Sequence, residues 1–107
     1  MATASVNGAA VKVVVLDNRA LGMVRQWQKL FYRKRYSSTE LASLPDFVQL
    51  AQAYGWQAER VTDPGELEGA YRRLLACEGP CLLDVAIPRD QSVFPMVAPG
   101  KGLAEVI

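Results

Sequence analysis

At 107 residues with a formal net charge of +1, the chain is the size of one domain and carries no electrostatic signature for nucleic acid or an anionic membrane. Half of it is hydrophobic, enough to build a core. No apolar run nears the ~20 residues of a membrane-spanning helix, and the N-terminus lacks the charged-then-apolar order of a signal peptide. Cys77 and Cys81 are the only cysteines, and histidine is absent. Two thiols with no histidine or further cysteine cannot close a structural zinc site. They are expected as separate, reduced thiols in a cytoplasmic protein. Without histidine the chain also lacks the commonest general base, so acid–base chemistry would come from a cofactor or another chain.

In chain order, Met1 to Ala10 is small and reads as weakly structured. Val11 to Leu16 is an apolar run broken by one Lys, the pattern of a strand covered on both faces. The spacing of Leu21, Val24, Trp27, Leu30 and Phe31 predicts a helix from about Leu21 to Tyr32. Arg33 to Leu44 is polar and aperiodic, a long loop whose Arg33-Lys34-Arg35 run reads as a solvated cluster. After Pro45 a second helix carries Phe47, Leu50, Ala51 and Tyr54 on one stripe and stops at Gly55, with Ser43 and Asp46 at capping-box spacing before it. Trp56 to Val61 is a short strand. Asp63 as cap, Pro64 at the first position and Glu66 three after the cap open a third helix, with a stripe of Leu67, Ala70, Tyr71, Leu74 and Leu75. Gly79-Pro80 ends it, and Cys81 to Ile87 is a strongly apolar strand. This alternation predicts the α/β class: a parallel sheet with helices on both faces. Residues 88–107 hold three of the six prolines and read as an extended tail, so 1–107 is expected to be one partial domain.

Asp17-Asn18 stands where the first strand ends and a helix begins. Open α/β sheets bind ligands at that carboxyl edge. The first N–H groups of the helix, from Leu21 on, face any anion there, and an Asn oxygen suits Mg²⁺. On spacing alone the same pair also reads as a plain turn.

A longer set of residues carries a resemblance. Val13 to Asn18 followed by Leu21-Gly22-Met23-Val24-Arg25-Gln26-Trp27-Gln28, together with the Val93-Phe94-Pro95-Met96-Val97-Ala98-Pro99-Gly100 tail, resembles the C-terminal part of the thiamine diphosphate-binding domain in acetohydroxyacid (acetolactate) synthase catalytic subunits. The likeness also takes in Phe31-Tyr32, Pro45 to Val48, Ala53-Tyr54-Gly55 and Arg60-Val61.

The resemblance implies that Asn18, through its side-chain oxygen, and Ala20, through its backbone carbonyl, ligate Mg²⁺. Leu21, Gly22 and Met23 would bind the cofactor, Gly22 by allowing close backbone approach. Met23 and Trp27 would line the pocket for the second 2-keto acid. It further implies decarboxylation of pyruvate, carboligation to pyruvate or 2-ketobutyrate, FAD held mainly outside this chain, and a homo-oligomer with a regulatory subunit. In that family a Gly-Asp-Gly-type motif upstream of the Asn supplies the first metal ligand, and no such motif precedes Asn18. Ala2-Thr3-Ala4 resembles the end of the helix that follows that motif, so the chain is expected to be the C-terminal piece of a longer subunit that starts inside a helix, inactive alone and with no catalytic residue of its own. Alternatives are a non-catalytic α/β module or a piece of another thiamine diphosphate carboligase or oxidase.

Overall fold

A computed structural model describes residues 1–107. The chain divides into two compact units, Met1–Asn18 with Ala42–Ile87, and Arg19–Leu41 with Pro88–Ile107. No helix is long and apolar enough to cross a membrane.

The first unit is a three-stranded parallel sheet with helices on both faces, as the alternating pattern predicts. It contains α1 (Ala2–Val6), β1 (Lys12–Asp17), α3 (Phe47–Ala53), β2 (Gln57–Val61), α4 (Leu67–Ala76) and β3 (Cys81–Ala86), and the second unit contributes α2 (Gly22–Phe31). The strand order is β1-β3-β2, so β3 is hydrogen-bonded on both sides. Side chains alternate across the sheet. Cys81, Leu83 and Val85 pack with Val61 and with Ala70 and Leu74 of α4, while Leu82 packs with Ala51 and Trp56, flanked by Val13, Val15, Ala58 and Ala4.

Several local expectations are corrected. The N-terminal segment, weakly structured by composition, is helical where the resemblance implies a helix end: α1 is fixed by Ser5, whose hydroxyl donates to the Tyr54 carbonyl at 2.8 Å and accepts from the Trp56 indole at 2.9 Å. β1 is an edge strand, so Val14 and Leu16 stay 44% and 65% exposed instead of being covered on both faces. Asp46, not Ser43, caps α3, accepting from the Gln49 N–H at 2.9 Å. Asp63 accepts from Gly65 N–H, but the first turn after it is a 3₁₀ turn over Pro64–Glu66, from which α4 continues. The two cysteines are not separate thiols. The turn after α4 brings the Cα atoms of Cys77 and Cys81 to 6.7 Å, within bridging reach, and the sulfurs are joined in a disulfide.

Leu83 is fully buried at the centre of the α4-side core. Leu83→Ala is expected to lower stability by about 3 kcal/mol through lost transfer energy and the cavity left behind. Leu16→Ala should change it by no more than about 0.5 kcal/mol, the usual limit for an exposed position. Denaturant melts of the two variants side by side check this, and equal losses would refute the burial pattern.

Candidate functional site

β1 ends at Asp17, so Asn18 lies at the carboxyl edge of the sheet, where the first unit closes. Asp17 is buried, and its carboxylate accepts from Arg60 Nη1 at 3.3 Å; the same nitrogen donates to Asp84 Oδ2 at 2.7 Å. Asn18 is half-buried.

The second unit opens at Arg19, whose φ of +54° lies in the left-handed region that non-glycine residues rarely adopt. Ala20 is buried and forms an isolated antiparallel bridge with Glu40. Leu21, the residue before α2, gives its N–H to the Thr39 carbonyl at 2.9 Å, and the Leu41 N–H donates to the Arg19 carbonyl at 3.0 Å. No side-chain cap closes the first turn of α2. Helix N-termini carry backbone N–H groups without intrahelical partners and a partial positive charge. Since Leu21 N–H is committed to Thr39, Gly22 and Met23 are the residues whose N–H groups open the helix.

The one buried residue of α2 is Gln26, 3% exposed, while Val24, Leu30 and Phe31 of the apolar stripe remain partly in solvent, as does Trp27, which the resemblance puts at a pocket wall. The Gln26 amide explains the inversion. It accepts from the Val93 N–H and donates to the Val93 carbonyl, both at 2.8 Å, and its nitrogen also lies 2.9 Å from Met96 Sδ. The tail then closes on itself through two hydrogen bonds between Met96 and Ile107.

Of the apolar stripe, Val24 and Trp27 line a cavity of about 500 Å³, together with Met23, Gln28, Tyr32 and Arg35. Trp27, 38% exposed, stacks edge-on against Phe31 at 5.5 Å between centroids. Met23 is 49% exposed. Both are wall residues, not core residues. The structure thus brings Met23 and Trp27 together in one cavity. Gln26 and Gln28 stand in the motif that carries the resemblance but were given no role there, and Thr39, in a polar loop, gave no signal in the sequence.

Asn18 carries an amide oxygen and Ala20 a backbone carbonyl, oxygen donors of the chemical type that Mg²⁺ takes, and α2 begins without a side-chain cap, as anion-accepting helix starts do. No group of three or more His, Cys, Asp or Glu side chains is arranged to hold a metal ion.

Fold and site together define a thiamine diphosphate-binding α/β domain. Residues 1–85 match the family described as "Thiamine pyrophosphate enzyme, C-terminal TPP binding domain", and the chain belongs to that family. It is 44% identical over 97 residues to the acetolactate synthase isozyme 2 large subunit of Escherichia coli (strain K12), covering 91% of this chain and 18% of that protein. It is 44% identical over 107 residues to the mitochondrial acetolactate synthase catalytic subunit of Aspergillus candidus, covering 100% and 15%. Among solved structures, the thiamine diphosphate-dependent 4-hydroxybenzoylformate decarboxylase of Rhodococcus jostii RHA1 superposes with a TM-score of 0.73 at 25% identity, covering 85% of this chain and 17% of that one. The resemblance to acetolactate synthase catalytic subunits read from the sequence holds. The chain spans less than a fifth of the length of these relatives.

In the same unit, Arg25 donates to Asp90 at 2.8 Å and stacks over the Tyr36 ring at 3.9 Å, tying α2 to the tail and to the following loop. The hydrogen bond from Arg25 holds the Asp90 carboxyl below its ordinary value of 3.8. A depressed carboxyl favours the folded state fully above its unfolded pKa, and that contribution is lost as pH falls through the lower, folded-state value. A carboxyl-carbon NMR titration should therefore place the Asp90 midpoint below 3.8, and Asp90→Asn should flatten this acid-side dependence. A midpoint at or above the ordinary value would contradict the pairing.

Proposed function

We propose that this chain is the cofactor- and substrate-facing C-terminal part of an acetolactate synthase catalytic subunit, one partial domain of a longer enzyme. The whole enzyme would decarboxylate pyruvate and join the two-carbon unit to a second 2-keto acid, pyruvate or 2-ketobutyrate, in branched-chain amino-acid biosynthesis. The observation that carries the reading is α2 itself. Its first turn is uncapped directly after the Asn18–Ala20 segment, and the same helix opens a cavity through Met23 and Trp27.

Thiamine diphosphate, when bound with Mg²⁺, supplies the electron sink for the bond cleavage and the bond formation. The chain's own residues bind and shape. Asn18 and Ala20 would hold the metal, Leu21, Gly22 and Met23 the diphosphate end of the site, and Trp27 with Met23 the second substrate. FAD, a homo-oligomeric state, a regulatory subunit and a cytoplasmic setting belong to the same proposal. The Cys77–Cys81 bridge is the observation that weighs against a strictly reducing compartment.

The mass of the protein from its native source and its product from pyruvate test the proposal. A full-length subunit should form 2-acetolactate only with both thiamine diphosphate and Mg²⁺. Asn18→Ala should weaken metal-dependent cofactor binding by roughly 10–100-fold, the scale seen when metal-site partners are removed. Cofactor-dependent turnover to another product would point to a different carboligase, and an unchanged affinity would remove Asn18 from the site.

Trp27 gives a sharper test. A wall tryptophan favours the longer 2-ketobutyrate by contact with one extra methylene, worth roughly 1–3 kcal/mol. Trp27→Leu in the full-length subunit should lower the preference for 2-ketobutyrate over pyruvate by about ten-fold. A core role would instead cost about 3 kcal/mol or more of stability with the product ratio unaltered. Product ratio and melting temperature, measured together, decide between them.

A further inference from the structure

The segment after α2 is polar and aperiodic, yet it is held at defined points. The Gln28 side chain grips it as a peptide group would. Its Nε2 donates to the Ser37 carbonyl at 2.9 Å, and its Oε1 accepts from the Ser37 N–H and from the Thr39 hydroxyl, each at 3.3 Å. Between those two residues Ser38 has a φ of +53°. Such a left-handed residue persists only where its surroundings over-determine it. Thr39 is 1% exposed, and its carbonyl accepts the Leu21 N–H at 2.9 Å. One residue on, Glu40 bridges Ala20, and Leu41 N–H reaches the Arg19 carbonyl. A continuous set of hydrogen bonds therefore runs from a residue lining the Trp27 cavity to the backbone that leads into α2.

We propose that Gln28 is a positioning residue: through Ser37 and Thr39 it holds the Arg19–Leu21 backbone in place, and so couples the cavity to the candidate metal edge at Ala20. The meaning of that edge rests on the function proposed above, but the coupling does not. Gln28 touches the loop, not the cofactor. Its side-chain amide is the one group in this set that belongs both to the cavity wall and to the loop. A change in the wall at Gln28 would reach Ala20 through two hydrogen bonds, Gln28 to Thr39 and Thr39 to Leu21, and the peptide that joins Leu21 to it, without any change at Ala20 itself.

Amide hydrogen exchange by NMR on the whole chain tests this with no ligand present. Gln28→Met keeps the length and removes every side-chain bond; Gln28→Glu keeps the acceptor for Ser37 N–H and the Thr39 hydroxyl but sets a second acceptor oxygen against the Ser37 carbonyl in place of the donor. Thr39→Val removes one hydroxyl and leaves the carbonyl that Leu21 needs. The Val93 amide, held by Gln26, and the Leu83 amide in β3 serve as references. Exchange at Leu21 and Leu41 should rise at least about ten-fold in Gln28→Met, as expected for a local opening, with both references unchanged. It should recover part of the way in Gln28→Glu and rise only a few-fold in Thr39→Val. Unaltered exchange at Leu21, or a rise shared equally by Val93 and Leu83, would overturn the proposal. Failure of all three variants to fold would assign these bonds to folding alone and overturn it as well. Absence of cofactor-dependent turnover would refute the function proposed above and leave the exchange result standing.

Discussion

β3 is hydrogen-bonded on both sides and covered on both faces, and everything else in the first unit answers to that. A strand in this position has to be apolar throughout or neutralise what is not. Cys81 to Val85 are all buried, and Asp84 is the exception in chemistry, 1% exposed and charged. Arg60, its register partner on β2, donates to it at 2.7 Å and reaches Asp17 at the end of β1 at 3.3 Å. One guanidinium thus joins side chains from all three strands. Buried ion pairs add little net stability over apolar packing, because desolvation offsets most of the attraction. Their effect here is on register: a slip of one residue would turn Asp84 away from Arg60 and into the α4-side core. On the α3-side face the sheet accordingly changes from the apolar row Val13, Leu82 and Ala58, through the mixed row Val15, Asp84 and Arg60, to Asp17 at the carboxyl end of β1.

That gradient accounts for what was legible in the sequence. Strand and helix positions follow from hydrophobic period, turn residues and caps, all local signals, and the parallel α/β class follows from their alternation. The misses share a different cause. α1 is held by hydrogen bonds to residues about fifty positions away, and Gln26 by a backbone segment 67 positions away. Neither contact leaves a trace in local composition. The cysteine pair was misjudged for a related reason. Counting thiols speaks to metal sites and compartments, whereas bridging depends on whether the turn between helix and strand brings two Cα atoms close enough.

The candidate site was legible only in part, and through resemblance more than spacing. Asp17-Asn18 has the composition of any strand-end turn. What lifts it above that is the helix that follows, with its uncapped start and its exposed apolar stripe. An apolar stripe at helical period is ordinarily a core face. In α2 two of its members, Val24 and Trp27, are cavity wall instead, and the tail segment held by Gln26 takes the buried side of the helix. Sequence period alone cannot distinguish a stripe that packs against protein from one that awaits a ligand.

The side chains gathered around α2 also constrain what this part of the protein can do chemically. The cavity wall sets an indole, a thioether and an aliphatic side chain beside the Gln28 amide, the Tyr32 phenol and the Arg35 guanidinium. Such a lining offers apolar contact area with a few polar groups to fix orientation, the usual make-up of a small-molecule site. The chain has no histidine and both of its cysteines are bridged. The proposed reaction would therefore draw its proton transfer from the cofactor or from groups on other segments, while the wall residues would act through shape and contact.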